Sequence, residues 1–441
     1  MQKYVIGSLV VLAAACAVRP DYQKPQLSAR NAWSALDGAR VDASADDLAH
    51  WWQSFGDPLL DRLIERATDS NYDVRIAAAR VRDARRAESE SGTLPADGSS
   101  HELHRTGFDA VWELDVYGGQ RRAVEAEGAE LDMVIEERRD VLVTLLGEVA
   151  RTYIDLRGQQ RLVALQTKHI AAARSTLALT RTRSNAGLAT TLDVAQAEAQ
   201  LATTEVLLPQ AQRAARAAVH RLGLLLGEEP EALAAELATE SAIPSPPARI
   251  AAGLPSDLLA RRPDVRRAER KLASATARVG VATADLYPKF ALLGAESVDL
   301  SDLSASSSRL WSAGFDSQWS LFDGGRRRAN IEVAGAQAEQ ALIGYERTFL
   351  LALEEVEHAL HAYAREWERR KSLAEAVVAS GASVELAGDL YSRGLTDFLE
   401  VLAAERDLYE AQCALAASEA ALSIRAVALY KGLAGGWDFE T

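Results

Sequence analysis

The side chains in this chain whose types and spacings could do chemistry are a few histidines, cysteines, acids and arginines. Two histidines and a glutamate occur together in the run HELH, His101 to His104. Zinc hydrolysis would use such a set, but it needs histidines four apart on one helix face. Here they stand three apart beside Gly and Ser residues, which reads as a solvated loop. Arg326, Arg327 and Arg328 open a helical stretch, where positive charge opposes the helix macrodipole. They read either as exposed helix surface or as a set that meets phosphate-bearing headgroups. Cys413 follows a helical apolar period and reads as a small buried residue. The sequence holds no phosphate-binding glycine loop, nucleophile elbow or clustered metal-ligand set, so catalysis is not expected. A formal net charge of −14, from 49 Lys and Arg against 63 Asp and Glu, argues against a nucleic-acid binder.

The other cysteine sits in a different setting. Lys3 precedes an apolar run from Tyr4 to Leu12, then Ala13, Ala14, Ala15 and Cys16, the order of a secretory signal peptide over residues 1–15. The run is too short to span a bilayer. Small residues directly before a cysteine resemble a bacterial lipobox, in which cleavage leaves the cysteine as an N-terminus carrying diacylglycerol and an N-acyl chain. The usual Leu three residues before the cysteine is replaced by Ala13, with Leu12 one place further out. Ala17 stands where an Asp would favour inner-membrane retention in sorted lipoproteins, so outer-membrane delivery is expected. With two cysteines in all, a disulfide framework is excluded. No later stretch of eighteen apolar residues occurs, so any spanning structure must be a β-barrel.

The elements that carry these residues are arranged as two copies of one plan. Gly187, Leu188, Leu192, Val194, Ala197 and Leu201 recur 207 positions later as Gly394, Leu395, Leu399, Val401, Ala404 and Leu408. The same spacing relates Phe108, Asp109 and Trp112 to Phe315, Asp316 and Trp319, and Glu148 and Val149 to Glu355 and Val356. Between the copies, Pro244, Pro246, Pro247 and Pro255 mark a linker.

Within each copy the order reads helix, strand region, very long helix, turn, helix. Apolar residues make up 48% of the chain and aromatics only 6%, and Ala, Leu, Glu, Arg and Gln dominate, as helices prefer. No proline interrupts the stretches from about Arg121 to Asn185 and Arg326 to Ser392, which predicts helices roughly 95 to 100 Å long. Leu342, Tyr345, Phe349, Ala352, Val356, Ala359 and Tyr363 step by three and four, a coiled-coil-like seam. Glu346, Arg347, Glu354, Glu357, His358 and His361 form its polar face. Gly187 and Gly394 stand where a C-cap glycine is expected, each before a fresh apolar period, so each marks a helical hairpin tip. Pro209 lies in the returning helix of the first copy and predicts a kink with no counterpart in the second.

Strands are clearest before the second long helix. Trp311, Ala313, Phe315, Ser317, Trp319 and Leu321 alternate with Ser312, Gly314, Asp316, Gln318 and Ser320, as in a barrel wall. The earlier run KFALLGAESVDLSD supplies a hairpin partner. In the first copy, Phe108, Ala110, Trp112, Leu114 and Val116 match the later strand, but its partner is missing. Val74 to Phe108 spans 34 positions and Val265 to Phe315 spans 50, so the first copy is 16 shorter. A tilted membrane strand takes about 9 to 11 residues, so the first hairpin is read as truncated. Trp112 and Trp319 read either as an interfacial girdle or as ordinary packing at the barrel base.

These motifs together resemble the TolC-type outer-membrane efflux proteins, in their lipoprotein branch of OprM-like and NodT-like members. The segments carrying the resemblance are the cysteine with the following PDYQKP, WWQSFGDPLLDRLIERA from Trp51, WELDVYGG from Trp112, LPSDLLARRPDVRRAER from Leu254, LFDGGRRRA from Leu321 and both tips. The resemblance implies a mainly α protein with a small β part, in which duplicated long helical hairpins form a trimeric periplasmic α-barrel joined to an outer-membrane β-barrel. Divided accordingly, the chain runs as a lipidated extension over 16–56, repeats over 57–237 and 256–436, a linker over 238–255 and a tail over 437–441. The function implied is passive conduction of drugs or other small molecules, by a homotrimer coupled through a periplasmic adaptor to an inner-membrane RND-type pump. The tips around Gly187, Leu188, Gly394 and Leu395 would meet the adaptor. Family members close the periplasmic entrance with a Leu, an Asp four residues later and then an Arg. Leu399 and Arg406 match by position, whereas the acidic place is held by Ala403. A lipid-anchored, non-conducting periplasmic scaffold with an incomplete barrel is the rival reading.

Overall fold

The structure is a computed structural model that describes residues 18–28, 32–33, 41–42, 48–91, 105–299 and 308–437. The expected signal peptide, Cys16, the HELH run, the Ser-rich turn before the last strand and residues 438–441 lie outside them. Strand β1, Val41–Asp42, comes first, then a 3-10 turn at Trp51–Phe55 and helices α1, Pro58–Ser70, and α2, Tyr72–Ser91. Strand β2, Arg105–Leu114, leads into α3, Gly119–Asn185, and α4, Thr191–Leu225. The second half holds β3, Ile250–Ala251, α5, Leu258–Arg261, α6, Pro263–Ala284, β4, Lys289–Asp299, and β5, Ser308–Gln318. It closes with α7, Arg326–Ser392, and α8, Phe398–Gly432.

The duplication is exact in the helices. Helices α3 and α7 have 67 residues each and α4 and α8 have 35, and every boundary of the later pair falls 207 positions after the earlier one. A 67-residue helix rises about 100 Å. The seam on α7 is real: Tyr345, Phe349, Ala352, Val356, Ala359 and Tyr363 are buried, with Ala341 rather than Leu342 leading it. Pro209 lies inside α4 and does not end it.

Both long helices start on an aspartate. Asp115 accepts from the backbone N–H of Gln120 (3.1 Å) and Arg121 (2.9 Å). Asp323 accepts from Gly325 (3.0 Å) and Arg327 (3.1 Å). These carboxylates offset the unpaired amides and positive dipole end that the Arg326–Arg328 run would otherwise worsen. The bonds to Arg327 and Gly325 hold the Asp323 carboxyl below its ordinary value.

The chain divides into two compact units. One comprises 1–28, 76–138 and 263–351 and contains the sheet β2-β4-β5. Strand β4 pairs antiparallel with β2 from Lys289's neighbour Phe290, opposite Leu114, to Asp299, opposite Arg105, and with β5 from Lys289, opposite Gln318, to Asp299, opposite Ser308. The strands end earlier than their apolar periods: Val116, Trp319 and Leu321 lie beyond them, because Asp115 and Asp323 turn the backbone into the helix caps. Among the described residues the first copy contributes one strand and the second contributes two.

The other unit comprises 29–75, 139–262 and 352–441. Here α1 begins with Asp57 as N-cap and Pro58 at its first position, and buries Leu60, Leu63, Ile64 and Ala67. Trp51 stacks on Tyr430 with ring centroids 5.1 Å apart, and Phe55 meets the same tyrosine edge-on. The Pro-rich linker is stitched down through its carbonyls. Gln160 donates to Leu237 O (2.7 Å), Arg157 to Thr239 O (2.6 Å) and Ser423 to Pro244 O (2.6 Å). Beyond it, β3 pairs in parallel with β1, a two-residue ladder that the sequence did not announce.

Candidate channel wall and helical tips

The sheet register sorts its side chains into two faces. Directly opposed residues share a face, so Trp112, Leu292 and Phe315 form one row, and Ala110, Gly294 and Ala313 form the next on the same side. The opposite face carries the rows Glu113, Ala291 and Asp316, then Val111, Leu293 and Gly314, then Asp109, Ala295 and Ser312, so it mixes acidic and apolar side chains. On the apolar side Phe290 stacks on Phe315 at 5.8 Å, a diagonal pair. Trp311 is 78% exposed, and Trp112 and Phe315 are also exposed, so this apolar side lacks a cover among the described residues. Such surface in water would be costly, whereas in hydrocarbon it is favourable. Trp319 is exposed too, but its indole N–H donates to Leu286 O at 3.0 Å, which ties it to the backbone just below the sheet.

An N-terminal strap lies at the same end of this unit. Val18 N–H donates to Tyr117 O (3.1 Å), and the Arg122 guanidinium donates twice to Val18 O (3.1 and 3.3 Å) and once to Glu125 (2.6 Å). Arg122 also bonds Asp21, and Tyr22 bonds the buried carboxylate of Glu269. The cation holds Asp21 below its ordinary pKa, while burial and Glu269 push the Tyr22 hydroxyl up. Room for Arg122 is made by Gly280, where a Cβ would stand 2.9 Å from the arginine Cγ. Sequence reading missed this clamp, since neither residue carries a local signal.

At the far ends of the long helices the two tips are built alike. Gly187 and Gly394 adopt φ of +76° and +75°, the left-handed conformation that suits glycine. Leu188 N–H donates to Arg183 O (2.8 Å) and Gly187 N–H to Ser184 O (2.9 Å), a Schellman closure. In the second tip Leu395 bonds Leu390 O (2.9 Å) and Gly394 bonds Tyr391 O (3.0 Å). Leu188 and Leu395 are each 69% exposed. The entries to the returning helices differ. Thr190 and Asp193 form a reciprocal capping box (3.2 and 2.7 Å), whereas Asp397 at the equivalent place makes no side-chain cap bond.

Just behind the tips, Leu177, Ala197 and Phe398 are buried with Val194, Leu201, Tyr391 and Leu402 around them. The Arg183 guanidinium lies over the Tyr391 ring at 4.5 Å. Leu399 is 55% exposed, and Arg406, two helical turns further along α8, is also exposed. Arg406 leans on Asp407 (3.4 Å) and Glu410 (3.9 Å) of its own helix. Ala403 lies between Leu399 and Arg406 on that face. Glu405 has a different phase and faces away, accepting a bond from Thr176 at 3.1 Å, and its burial pushes the carboxyl pKa up.

Further up, His169 stacks on Tyr409 at 4.1 Å. Cys413 is half-buried rather than fully buried, and desolvation pushes its thiol up, partly offset by the hydrogen bond with Tyr409. Among the described residues no three His, Cys, Asp or Glu side chains are grouped so as to hold a metal ion.

The chain is 30% identical to the nodulation protein T of Rhizobium leguminosarum bv. viciae, covering 97% of this chain and 92% of that one. It is 32% identical to the pyoverdine export outer membrane protein OpmQ of Pseudomonas putida, covering 93% and 92%. Among solved structures, the outer-membrane channel OprN superposes with a TM-score of 0.88 at 36% identity, covering 96% of this chain and all of that one. The sequence pattern of outer membrane efflux proteins matches residues 74–228 and 254–435. Two apolar-faced strand regions, two 67-residue helices and two glycine-closed tips, matched over nearly the full length, place this chain in the outer membrane efflux protein family.

Proposed function

We propose that the protein is the outer-membrane channel of a tripartite efflux system, which conducts small molecules passively from periplasm to exterior. Three copies, with repeats at 57–237 and 256–436, share one barrel and one periplasmic helical tunnel. An inner-membrane RND-type pump supplies the driving force through a periplasmic adaptor. The observation that carries this reading is the joining, in a single family member, of an apolar-faced sheet with paired helices of 67 residues. The sheet suits hydrocarbon, and each 67-residue helix rises about 100 Å along its own axis.

Leu399 narrows the periplasmic entrance and Arg406 lines it, and the exposed tip residues Gly187, Leu188, Gly394 and Leu395 receive the adaptor. With Ala403 at the acidic place, Arg406 pairs along its own helix with Asp407 and Glu410. Cys16 carries the diacylglycerol and N-acyl chains that hold the N-terminus in the outer membrane. This placement is supported by the strap, in which Val18 is held two residues away beside Tyr117 at the foot of the sheet.

Single-channel recording in planar bilayers tests the proposal, with the lipidated protein, its Leu399→Ser variant and an intact family member side by side. Discrete steps that enlarge at least twofold in the variant are expected. Silence from both, with the control conducting, would establish the non-conducting scaffold instead. In the same preparation radiolabelled palmitate should enter the parent protein and be lost from Cys16→Ser; equal labelling would remove Cys16 as the anchor.

A further inference from the structure

The two hairpins, alike in length, differ in how their helices are tied. In the first, two ion pairs join the long helix α3 to the returning α4: Arg174 to Glu205 and Arg181 to Glu198, each at 2.6 Å. The offset of 207 carries these four positions to Gly381, Gln412, Gly388 and Glu405. Both arginines have become glycine, and a Cβ at either place would find open space, so packing does not demand glycine there. Among the described residues no ion pair joins α7 to α8 between the tip and Arg370, which reaches Glu419 at 3.4 Å.

Glu405 alone of the four keeps its charge, without the arginine that its counterpart Glu198 holds. Its carboxyl turns to the other hairpin and accepts from the Thr176 hydroxyl of α3 at 3.1 Å, half-buried between α8 and α3. The charges on the surrounding helices are engaged elsewhere. Arg174 and Arg181 serve α4, Arg183 lies over Tyr391, Asp389 of α7 pairs with Arg393, and Arg406 leans on Asp407 and Glu410. Burial therefore raises the Glu405 carboxyl, opposed only by the Thr176 bond. Further along the same seam His169 stacks on Tyr409 and is held below its ordinary value by burial. Tyr409 and Cys413 are both pushed up and stay protonated through neutral pH.

A half-buried carboxylate with one hydroxyl for company is costly, whereas the neutral acid is not, and it adds an O–H donor. We infer that Glu405 is a proton-operated latch between the two hairpins of one protomer: as a carboxylic acid it holds α8 against α3, and as a carboxylate it lets that seam loosen. Because the packed seam favours the proton, the hold is complete below the ordinary carboxyl range and is lost as pH rises through the raised value. His169 acts in the opposite sense, since it stays neutral in the seam until pH falls through its lowered value. Helix α8 also carries Leu399 and Arg406, so the latch acts on the helix assigned to the entrance, yet it is a contact within one protomer and holds whether or not the protein conducts.

Hydrogen exchange by mass spectrometry on the full-length lipidated protein tests the latch, at about pH 5 and about pH 7.5 with times scaled for the intrinsic chemical rate. Peptides over residues 172–180 and 401–409 should exchange about threefold faster or more at the higher pH. Glu405→Gln, which keeps the neutral form, should stay protected at both. Gly388→Arg, which gives Glu405 the partner that Arg181 gives Glu198, should also lose the pH dependence, while His169→Gln should retain it. Equal exchange of the parent at the two pH values would overturn the latch, as would a dependence that survives in Glu405→Gln or vanishes in His169→Gln. Bilayer recordings decide the channel separately: a conducting protein with flat exchange loses only the latch, and a silent one with Glu405-dependent exchange loses only the channel.

Discussion

Tyr153 shows how a single buried hydroxyl can join three parts of one unit. It is fully buried on α3 and donates to Asp57 at 2.7 Å, while Arg157 donates to its oxygen at 3.1 Å. Asp57 is at the same time the N-cap of α1, through Leu59 N–H at 2.9 Å, and Arg157 reaches on to Thr239 O in the linker. Desolvation, helped by Asp57, pushes the Tyr153 hydroxyl up to about 12. Tyr153→Phe should therefore cost about 1.5–3 kcal/mol, the worth of a hydrogen bond to a charged group, and lower the thermal midpoint followed by circular dichroism. Because the folded state holds the phenol proton more tightly than the unfolded chain does, its contribution is complete below pH 10 and declines between pH 10 and 12. The variant should lose that decline; an unchanged pH profile would show that Tyr153 does not titrate with folding. No residue of this network was legible beforehand, since Tyr153, Asp57 and Thr239 are distant in sequence and their types are unremarkable. Leu399, Ala403 and Arg406 share one face by helical spacing, but the expectation that they form a gate came only from the family resemblance.

Elements were far more readable than side-chain networks. Glycine after an apolar period locates both tips, and the structure places α3 and α7 within two residues of the expected ends. Local chemistry explains this, since C-cap glycines, capping acids and the lack of proline all act over a few residues. The difference between the tips is equally local. Thr190→Ala should remove the capping box, cost about 1 kcal/mol and speed amide exchange at residues 191–194 about fivefold. Asp397→Ala, which removes no side-chain cap bond, should leave residues 398–401 nearly unchanged. Hydrogen exchange by mass spectrometry checks both, and equal responses would show that the box does not hold the first tip. The strands were legible in their alternation but overrun at their ends, because the aspartates that start α3 and α7 compete for the same backbone.

For the molecule as a whole, the two sheet faces decide what meets lipid. Leu292 lies in the row of Trp112 and Phe315, and Ala291 in the row of Glu113 and Asp316. Leu292→Arg should cost about 2–4 kcal/mol per subunit near the bilayer midplane and deplete the heat-modifiable trimer, while Ala291→Arg should assemble normally. Equal depletion in both would show that the faces are not divided between lipid and lumen. The arginine clamp on Val18 bears on the same assembly, since it holds residue 18 beside Tyr117 near that sheet. By itself, the sequence determined the duplication, the long helices, the glycine tips and the alternating strands, because each is written in spacings of a few residues or in one constant offset. Only the tertiary structure decided that β4 stands between β2 and β5, that Glu405 turns to Thr176, and that Arg122 and Arg157 gather distant backbone carbonyls. Pairing order and buried polar networks depend on which distant segments meet, and that choice is made by the packing of the whole chain rather than by any local run of residues.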